Sequence, residues 1–290
     1  MANNTKEIVK NFGIKLTKSL GQNFLTDSSI ITEIVDCANI SKEEFVIEVG
    51  PGVGSMTTEL AERAGKVVAV EIDKHLLEAL KFALTPYPNV AVINEDILET
   101  DIKALIEEHG LREDGTRYDV VKAVANLPYY ITTPIVMKFL EDNPGIKTLV
   151  FMVQKEVAER MVAAPGKKAY GALSIAVQFY SKARIMMEVP PNCFIPQPEV
   201  TSSIVRLDIY DTPEYEVNDK NIFFRVVKAA FEQRRKTLVN AIFNTGRFML
   251  SKDELVEIFS SLGLTEKIRG EALSIPQLAA LANIIATKIK

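Results

Sequence analysis

The sequence predicts an α/β fold: a Rossmann-like, doubly wound, mostly parallel sheet of seven strands, with a small all-helical domain at the C-terminal end. Three observations lead there. Short apolar runs alternate with helical patterns through residue 162. One of these runs, Phe45–Val49, opens directly onto Gly50-Pro51-Gly52-Val53-Gly54-Ser55. From Ile222 onward the pattern is helical almost to the end. The expected organisation is a basic arm over 1–20, the main domain over 21–210, a polar linker over 211–220 and the helical domain over 221–290.

Taken in order, residues 5–20 read as a loose basic arm. Thr26-Asp27 offers N-caps for a helix over Ile30–Ala38, whose apolar positions Ile30, Ile31, Ile34, Val35 and Ala38 share one face. After the Gly-rich turn a helical pattern runs through Met56, Leu60 and Ala61. A second strand, Val67–Val70, ends at Glu71-Ile72-Asp73, and a helix follows to about Leu84. The third strand, Val90–Ile93, ends in Asn94-Glu95-Asp96. Residues 99–117 read as a helix plus surface loop. The fourth strand, Val120–Ala125, is apolar except for Lys122 and stops at Asn126-Leu127-Pro128-Tyr129, after which Pro134 begins a helix. Thr148–Val153 is a fifth strand, followed by an amphipathic Gln154–Val162. Gly171–Tyr180 suits a helix or a strand; Arg184–Val189 and Ser203–Ile209 suit strands.

Bulk properties set limits. The 290 residues are 47% apolar and 25% charged, ordinary for a globular protein, and no uncharged apolar stretch is long enough to span a bilayer. Two cysteines, Cys37 and Cys193, give no metal or disulfide framework, and the first residues have no apolar signal core, so a cytoplasmic setting is expected. Net charge is −4, but it is unevenly spread: residues 1–20 carry +3 and residues 221–250 carry +5, leaving −12 elsewhere. Arg225, Lys228, Arg234, Arg235, Lys236 and Arg247 make the second basic cluster, which suits either a polyanion or a solvated helix face. The consecutive Arg234, Arg235 and Lys236 would spread round a helix and could reach two nucleic-acid backbones across a groove.

The chemistry concentrates at strand ends. Gly50, Gly52 and Gly54 allow a ligand to approach the backbone at a helix N-terminus, though a plain tight turn reads the same way. Glu71, at the end of the next strand, suits both hydroxyls of an adenosine ribose, a contact that NAD and S-adenosylmethionine share. Asp96 suits either an adenine amine or the N-cap of the following segment. Asn126-Leu127-Pro128-Tyr129 favours S-adenosylmethionine. The amine of adenine is a poor nucleophile because its lone pair is delocalised. The Asn126 side-chain oxygen and the Pro128 carbonyl could bind its two hydrogens and favour a pyramidal nitrogen, while Tyr129 stacks on the base. Phe194, held between Pro190-Pro191 and Pro196/Pro198, suits the second wall of a pocket for an extruded base, or equally a core anchor. His75 and His109 fall on surface helices and take no role, and no metal is expected.

The stretches Gly21–Leu25, Glu48–Gly54, Val70–Asp73, Asn126–Tyr129, Phe194–Ser202 and Ala229–Asn240 together resemble the KsgA/RsmA small-subunit ribosomal RNA adenine dimethyltransferases. The resemblance implies S-adenosylmethionine-dependent transfer of four methyl groups to two adjacent adenosines near the 3′ end of 16S rRNA in the immature small subunit. It implies that Asn23, Leu25 and Gly52 border the cofactor, with Gly50 at its methionine end, Glu71 at its ribose and Asp96 at its adenine. Asn126 would touch both cofactor and target amine, Pro128 would supply the second acceptor, and Tyr129 and Phe194 would sandwich the base. The chain departs from many relatives at Tyr130, where they have a polar residue. The Erm group, which methylates 23S rRNA, shares the catalytic stretch but not the Phe231–Leu238 segment. A binding or checkpoint factor in ribosome assembly, a relative serving mitochondrial transcription, and a DNA adenine methyltransferase are further readings. A monomer is expected.

Overall fold

The computed structural model describes residues 5–14, 20–212 and 214–289. Two compact units emerge: Met1–Ala158 with Lys182–Ile209, and Glu159–Ser181 with Tyr210–Lys290.

The first unit begins with α1 (Thr5–Asn11), β1 (Phe24–Leu25) and α2 (Ser28–Ala38). Asp27 caps α2 by accepting from the Ser29 N–H at 3.0 Å. Then β2 (Glu44–Val49), α3 (Ser55–Arg63), β3 (Lys66–Val70), α4 (Leu77–Leu84), β4 (Val90–Ile93), α5 (Ile102–His109), β5 (Val120–Asn126), α6 (Thr132–Glu141) and β6 (Ile146–Gln154) alternate. The division between units falls within α7 (Lys155–Val162), and α8 (Ala172–Tyr180) belongs to the second unit. β7 (Ser181–Val189), β8 (Phe194–Ile195) and β9 (Ser202–Ile209) follow.

The main sheet has the order β4-β3-β2-β5-β6-β9-β7, parallel from β4 to β6, with β9 antiparallel to β6. Strands β2, β3 and β5 are near-continuous apolar runs because helices cover both faces of such a sheet. Lys122 interrupts β5 at little cost. Its Nζ donates to the Ala38 and Asn39 carbonyls at the C-terminal end of α2, at 3.0 and 2.6 Å, and pairs with Glu44 at 2.8 Å. A separate two-stranded ribbon pairs Phe24 with Ile195 and Leu25 with Phe194.

The second unit continues with α9 (Lys220–Glu232), α10 (Leu238–Asn244), α11 (Lys252–Ser261) and α12 (Ile275–Lys288). Asp219 caps α9 through the Ile222 N–H at 3.0 Å. The apolar face of α9 packs Phe223 on Phe179 of α8, ring centroids 4.9 Å apart.

Three expectations need correction. Residues 5–11 are a helix, not a loose arm, because Ile8 buries itself among Phe24, Val53, Leu76, Ala79 and Ala83; Lys15 and Lys18 of the expected arm lie outside the described residues. Residues 159–181 group with the helical unit and not with the main domain, because Tyr170, Ile175 and Phe179 are part of its core. Arg234, Arg235 and Lys236 do not lie on a helix: α9 ends at Glu232, and they occupy the turn before the Thr237 cap of α10.

Candidate active site

The carboxyl ends of β2, β3 and β5 meet around one cleft, where an open parallel sheet takes its ligands. Its lining includes Asn23, Phe24, Gly50, Gly52, Glu71, Asn126, Leu127, Pro128 and Tyr129. A second, smaller cavity shares Phe24, Gly50, Gly52 and Asn126 with it and adds Thr5, Leu25, Glu48 and Ser55.

The turn after β2 takes left-handed backbone at Gly50 (φ 66°), Gly52 (φ 60°) and Gly54 (φ 88°). Gly52 also needs its missing side chain, since a Cβ there would sit 2.8 Å from the Phe24 ring. The turn is fastened to β3 in two places. The Gly50 N–H donates to the Val70 carbonyl at 3.0 Å, and the Gly52 N–H to Glu71 Oε2 at 3.1 Å. Glu71 Oε1 accepts from the Asp73 N–H at 2.8 Å. Burial raises the Glu71 carboxyl above the ordinary range, and these two backbone donors oppose the shift.

Asn126 closes β5. Its Nδ2 donates to the Asn23 carbonyl at 2.9 Å, so Oδ1 is the acceptor this side chain keeps for the cleft. The Pro128 carbonyl does not serve as the second acceptor, and that expectation is corrected. It already takes the Ile131 N–H at 3.2 Å and the Thr132 hydroxyl at 3.1 Å, which fill both lone pairs. The preceding Leu127 donates its N–H to Met152 O at 3.1 Å, and its own carbonyl makes no hydrogen bond among the described residues. Tyr129 borders the cleft with its hydroxyl held 2.6 Å from Ser202 Oγ on β9, and burial raises that phenol above its usual value. Tyr130 is 61% exposed and lies against Gly21 at the mouth of the cleft.

Other expected residues fall differently. Asn23 lines the cleft, and Leu25, buried in β1, lines the smaller cavity. Phe194 is corrected to a core residue: at 1% exposure its ring packs among Leu25, Ile31, Val150 and Val189, leaving no face for a base. Asp96 fills the turn role, accepting from the Leu98 N–H at 2.9 Å, and is not part of the cleft lining. In the second unit, Arg234 is spent on the Lys168 and Tyr170 carbonyls and on Glu271, at 3.0, 3.2 and 3.2 Å. Arg247 pairs with Glu232 at 2.8 Å and receives a bond from Arg225 on its carbonyl. Lys228, Arg235 and Lys236 are exposed. Sequence reasoning missed Thr5, Glu48 and Ser202. Only Glu48 carried a signal, an acidic residue inside an otherwise apolar strand. Among the described residues no group of three or more His, Cys, Asp or Glu is placed to hold a metal, and no helix is long and apolar enough to cross a membrane.

Comparison with known proteins gives a consistent set of likenesses. The profile of the family described as ribosomal RNA adenine dimethylase matches residues 13–287. Ribosomal RNA small subunit methyltransferase A of Alkaliphilus oremlandii is 54% identical over 285 residues, 98% of this chain and 97% of that one. The protein of the same name from Clostridioides difficile is 50% identical over 287 residues, 99% of this chain and 96% of that one. Among solved structures, a dimethyladenosine transferase from Plasmodium falciparum aligns with a TM-score of 0.73 and 26% identity, covering 89% of this chain and 95% of that one. The 23S rRNA methyltransferase ErmE aligns at 0.68 and 25%, covering 91% and 100%.

Proposed function

Given that this chain belongs to the ribosomal RNA adenine dimethylase family and is a methyltransferase of that fold, we propose that it dimethylates the N6 amines of two adjacent adenosines near the 3′ end of 16S rRNA, with S-adenosylmethionine as donor. The observation that carries this reading is the end of β5. There Asn126 is oriented by Asn23 with Oδ1 left as an acceptor, one residue from the unbonded Leu127 carbonyl. The high identity to small-subunit enzymes along nearly the whole chain favours 16S over 23S rRNA, since the fold alone also aligns with a 23S rRNA methyltransferase.

The residues fit the donor. Each Glu71 oxygen is held by one backbone N–H and keeps lone pairs for the ribose hydroxyls, while the Cβ-free Gly50 and Gly52 admit the methionine end. Asn23 and Leu25 border it. When bound, S-adenosylmethionine supplies an electrophilic methyl group on a sulfonium. The chain's own part is to prepare the amine. Asn126 Oδ1 and the Leu127 carbonyl accept its two hydrogens, and Tyr129, pinned through Ser202, stacks on the base, a contact worth roughly 1–3 kcal/mol. The lone pair is thereby withdrawn from the ring and aimed at the methyl group. Once methylated the nitrogen would be cationic and acidic enough to pass its proton to water, so no strong general base is needed. Arg235, Lys236 and Lys228 meet the RNA backbone. The partner is the immature small subunit in the cytoplasm, and the protein acts as a monomer.

The test is methyl transfer from labelled S-adenosylmethionine to unmethylated small subunits, beside 23S rRNA and duplex DNA. Dimethyladenosine only in 16S rRNA is the expected result. Label in 23S rRNA would move the protein to the Erm group, and tight subunit binding without label would make it a binding factor.

A further inference from the structure

Glu48 is the one acidic side chain inside the apolar core of β2, and nothing in the established logic of the cleft uses it. It is wholly buried, and neither carboxyl oxygen has a hydrogen-bond partner. The Thr57 hydroxyl lies nearby and favours the ionised carboxylate, but makes no hydrogen bond of normal length and angle. An ionised carboxylate cannot stay in such a place without compensation. A group left unsatisfied at this depth asks for a ligand.

Its position says which kind. Glu48 lies two residues before Gly50 and lines the smaller cavity with Gly50, Gly52 and Asn126, which also line the main cleft. Glu71 ends the neighbouring strand on the other side of the Gly-rich turn and is fastened to it through Gly52. Two carboxyl groups therefore flank the turn, one held by backbone donors and one unsatisfied. Among the described residues the cavity beside Glu48 is lined by no Lys, Arg or His: Glu71 follows β3, α3 contributes Ser55 and Thr57, α1 contributes Thr5 and β5 contributes Asn126. Lys122 of β5 is engaged at the opposite end of the strand with Glu44. A pocket so built favours a positively charged occupant.

We propose that Glu48 is a charge-sensing residue that gives up its proton when the cationic sulfonium donor is seated, so that the cleft prefers the donor over its neutral thioether product. This rests on the cofactor reading given above. The charge balance is simple. As the S–CH3 bond breaks and the N6–CH3 bond forms, the positive charge leaves the sulfur and departs as the proton lost from N6. The Glu48 carboxylate then has no cation before it, takes a proton back from solvent, and the thioether is released. Burial pushes the Glu48 carboxyl up to about 8, with Glu71 adding to the shift and the Thr57 hydroxyl opposing it, so this exchange falls in a physiological range.

The experiment is calorimetric titration of the full chain with S-adenosylmethionine and with S-adenosylhomocysteine, from pH 6 to 9, in two buffers of different ionisation enthalpy. Wild type is compared with Glu48→Gln, which mimics the protonated acid and cancels the titration of the ligand's own amino group. At pH 6 the two proteins should agree. At pH 9 the preference of wild type for the sulfonium should exceed that of the variant by roughly tenfold. Wild type should also release more protons on binding the donor than the variant does. Equal preference and equal proton release in both proteins would overturn the proposal while leaving the cofactor assignment intact. If wild type binds neither ligand, the cofactor reading falls and the proposal with it. Should Glu48→Gln fail to fold, the wild-type difference in proton release between the two ligands, corrected for each ligand's own ionisation, decides the matter alone.

Discussion

The side-chain amide of Asn126 donates to the main-chain carbonyl of Asn23 across 103 residues of sequence, at 2.9 Å. That bond fixes which end of the amide faces the cleft. Asp at 126 would keep the shape but place an acceptor against the Asn23 carbonyl. Asn126→Asp is therefore expected to lower kcat by about 10²-fold or more while the particle still binds, since a positioned polar group in a transition state is worth about that much. Single-turnover methylation with a parallel binding assay checks it. A rate near wild type would remove Asn126 from the reaction.

Tyr129 separates stacking from anchoring. Tyr129→Phe keeps the ring and loses the Ser202 hydrogen bond, at about 1 kcal/mol of stability, with a small effect on turnover. Tyr129→Ala loses the stack as well, roughly 1–3 kcal/mol of substrate binding, which KM reports. Equal losses for the two variants would contradict the split.

Glu71→Ala should weaken S-adenosylmethionine and S-adenosylhomocysteine alike, by about 1–3 kcal/mol, because the ribose is common to both. Equilibrium titration of each ligand distinguishes this from a charge effect, which would act on one ligand only. An unchanged affinity for both would detach Glu71 from the ribose.

The basic turn after α9 is not uniform. Arg235 and Lys236 are exposed, whereas Arg234 is tied to two carbonyls and Glu271. Removing Arg235 and Lys236 together should flatten the salt dependence of RNA binding by about 1 to 2 in the log–log slope, and leave thermal unfolding unchanged. Arg234→Ala should do the reverse, lowering the melting temperature more than the slope.

Glu48 also governs stability against pH. Its folded value of about 8 lies above the ordinary 4.5, so the folded chain holds a proton that the unfolded chain has lost. The contribution is fully present below pH 4.5, declines as pH rises, and is gone above about 8, at roughly 1.4 kcal/mol per pH unit across that window. Denaturant titrations at several pH values should show this decline in wild type and a flatter course in Glu48→Gln. Parallel curves would mean the carboxyl is not buried as described.

The strand order, the Gly-rich turn and the abrupt end of β5 were legible because parallel strands buried on both faces leave unbroken apolar runs, and because Gly and Pro punctuate them. What failed to show was pairing at a distance. Phe194 on its Pro-rich loop suits a pocket wall as well as the core, but its backbone pairs with Leu25 and the ring packs inward. The Phe231–Leu238 segment looks continuously helical, yet the helix stops at Glu232, and Asn244 Nδ2, beyond the turn, reaches back to Gln233 Oε1 at 3.2 Å. Pro128 looked like the acceptor until Ile131 and Thr132, a turn further on, were found to occupy it. Bonds to main-chain atoms leave no mark on residue identity.

The passage of residues 159–181 into the helical unit has a genetic consequence. The core that Phe223, Leu238 and Leu278 share with Tyr170, Ile175 and Phe179 is encoded in two separated stretches. A single recombination event between two diverged homologues near residue 210 would deliver one stretch without the other, and the hybrid would assemble a mismatched core. Exchange of this unit between lineages needs a double crossover, or coevolution of its inserted stretch with the C-terminal one.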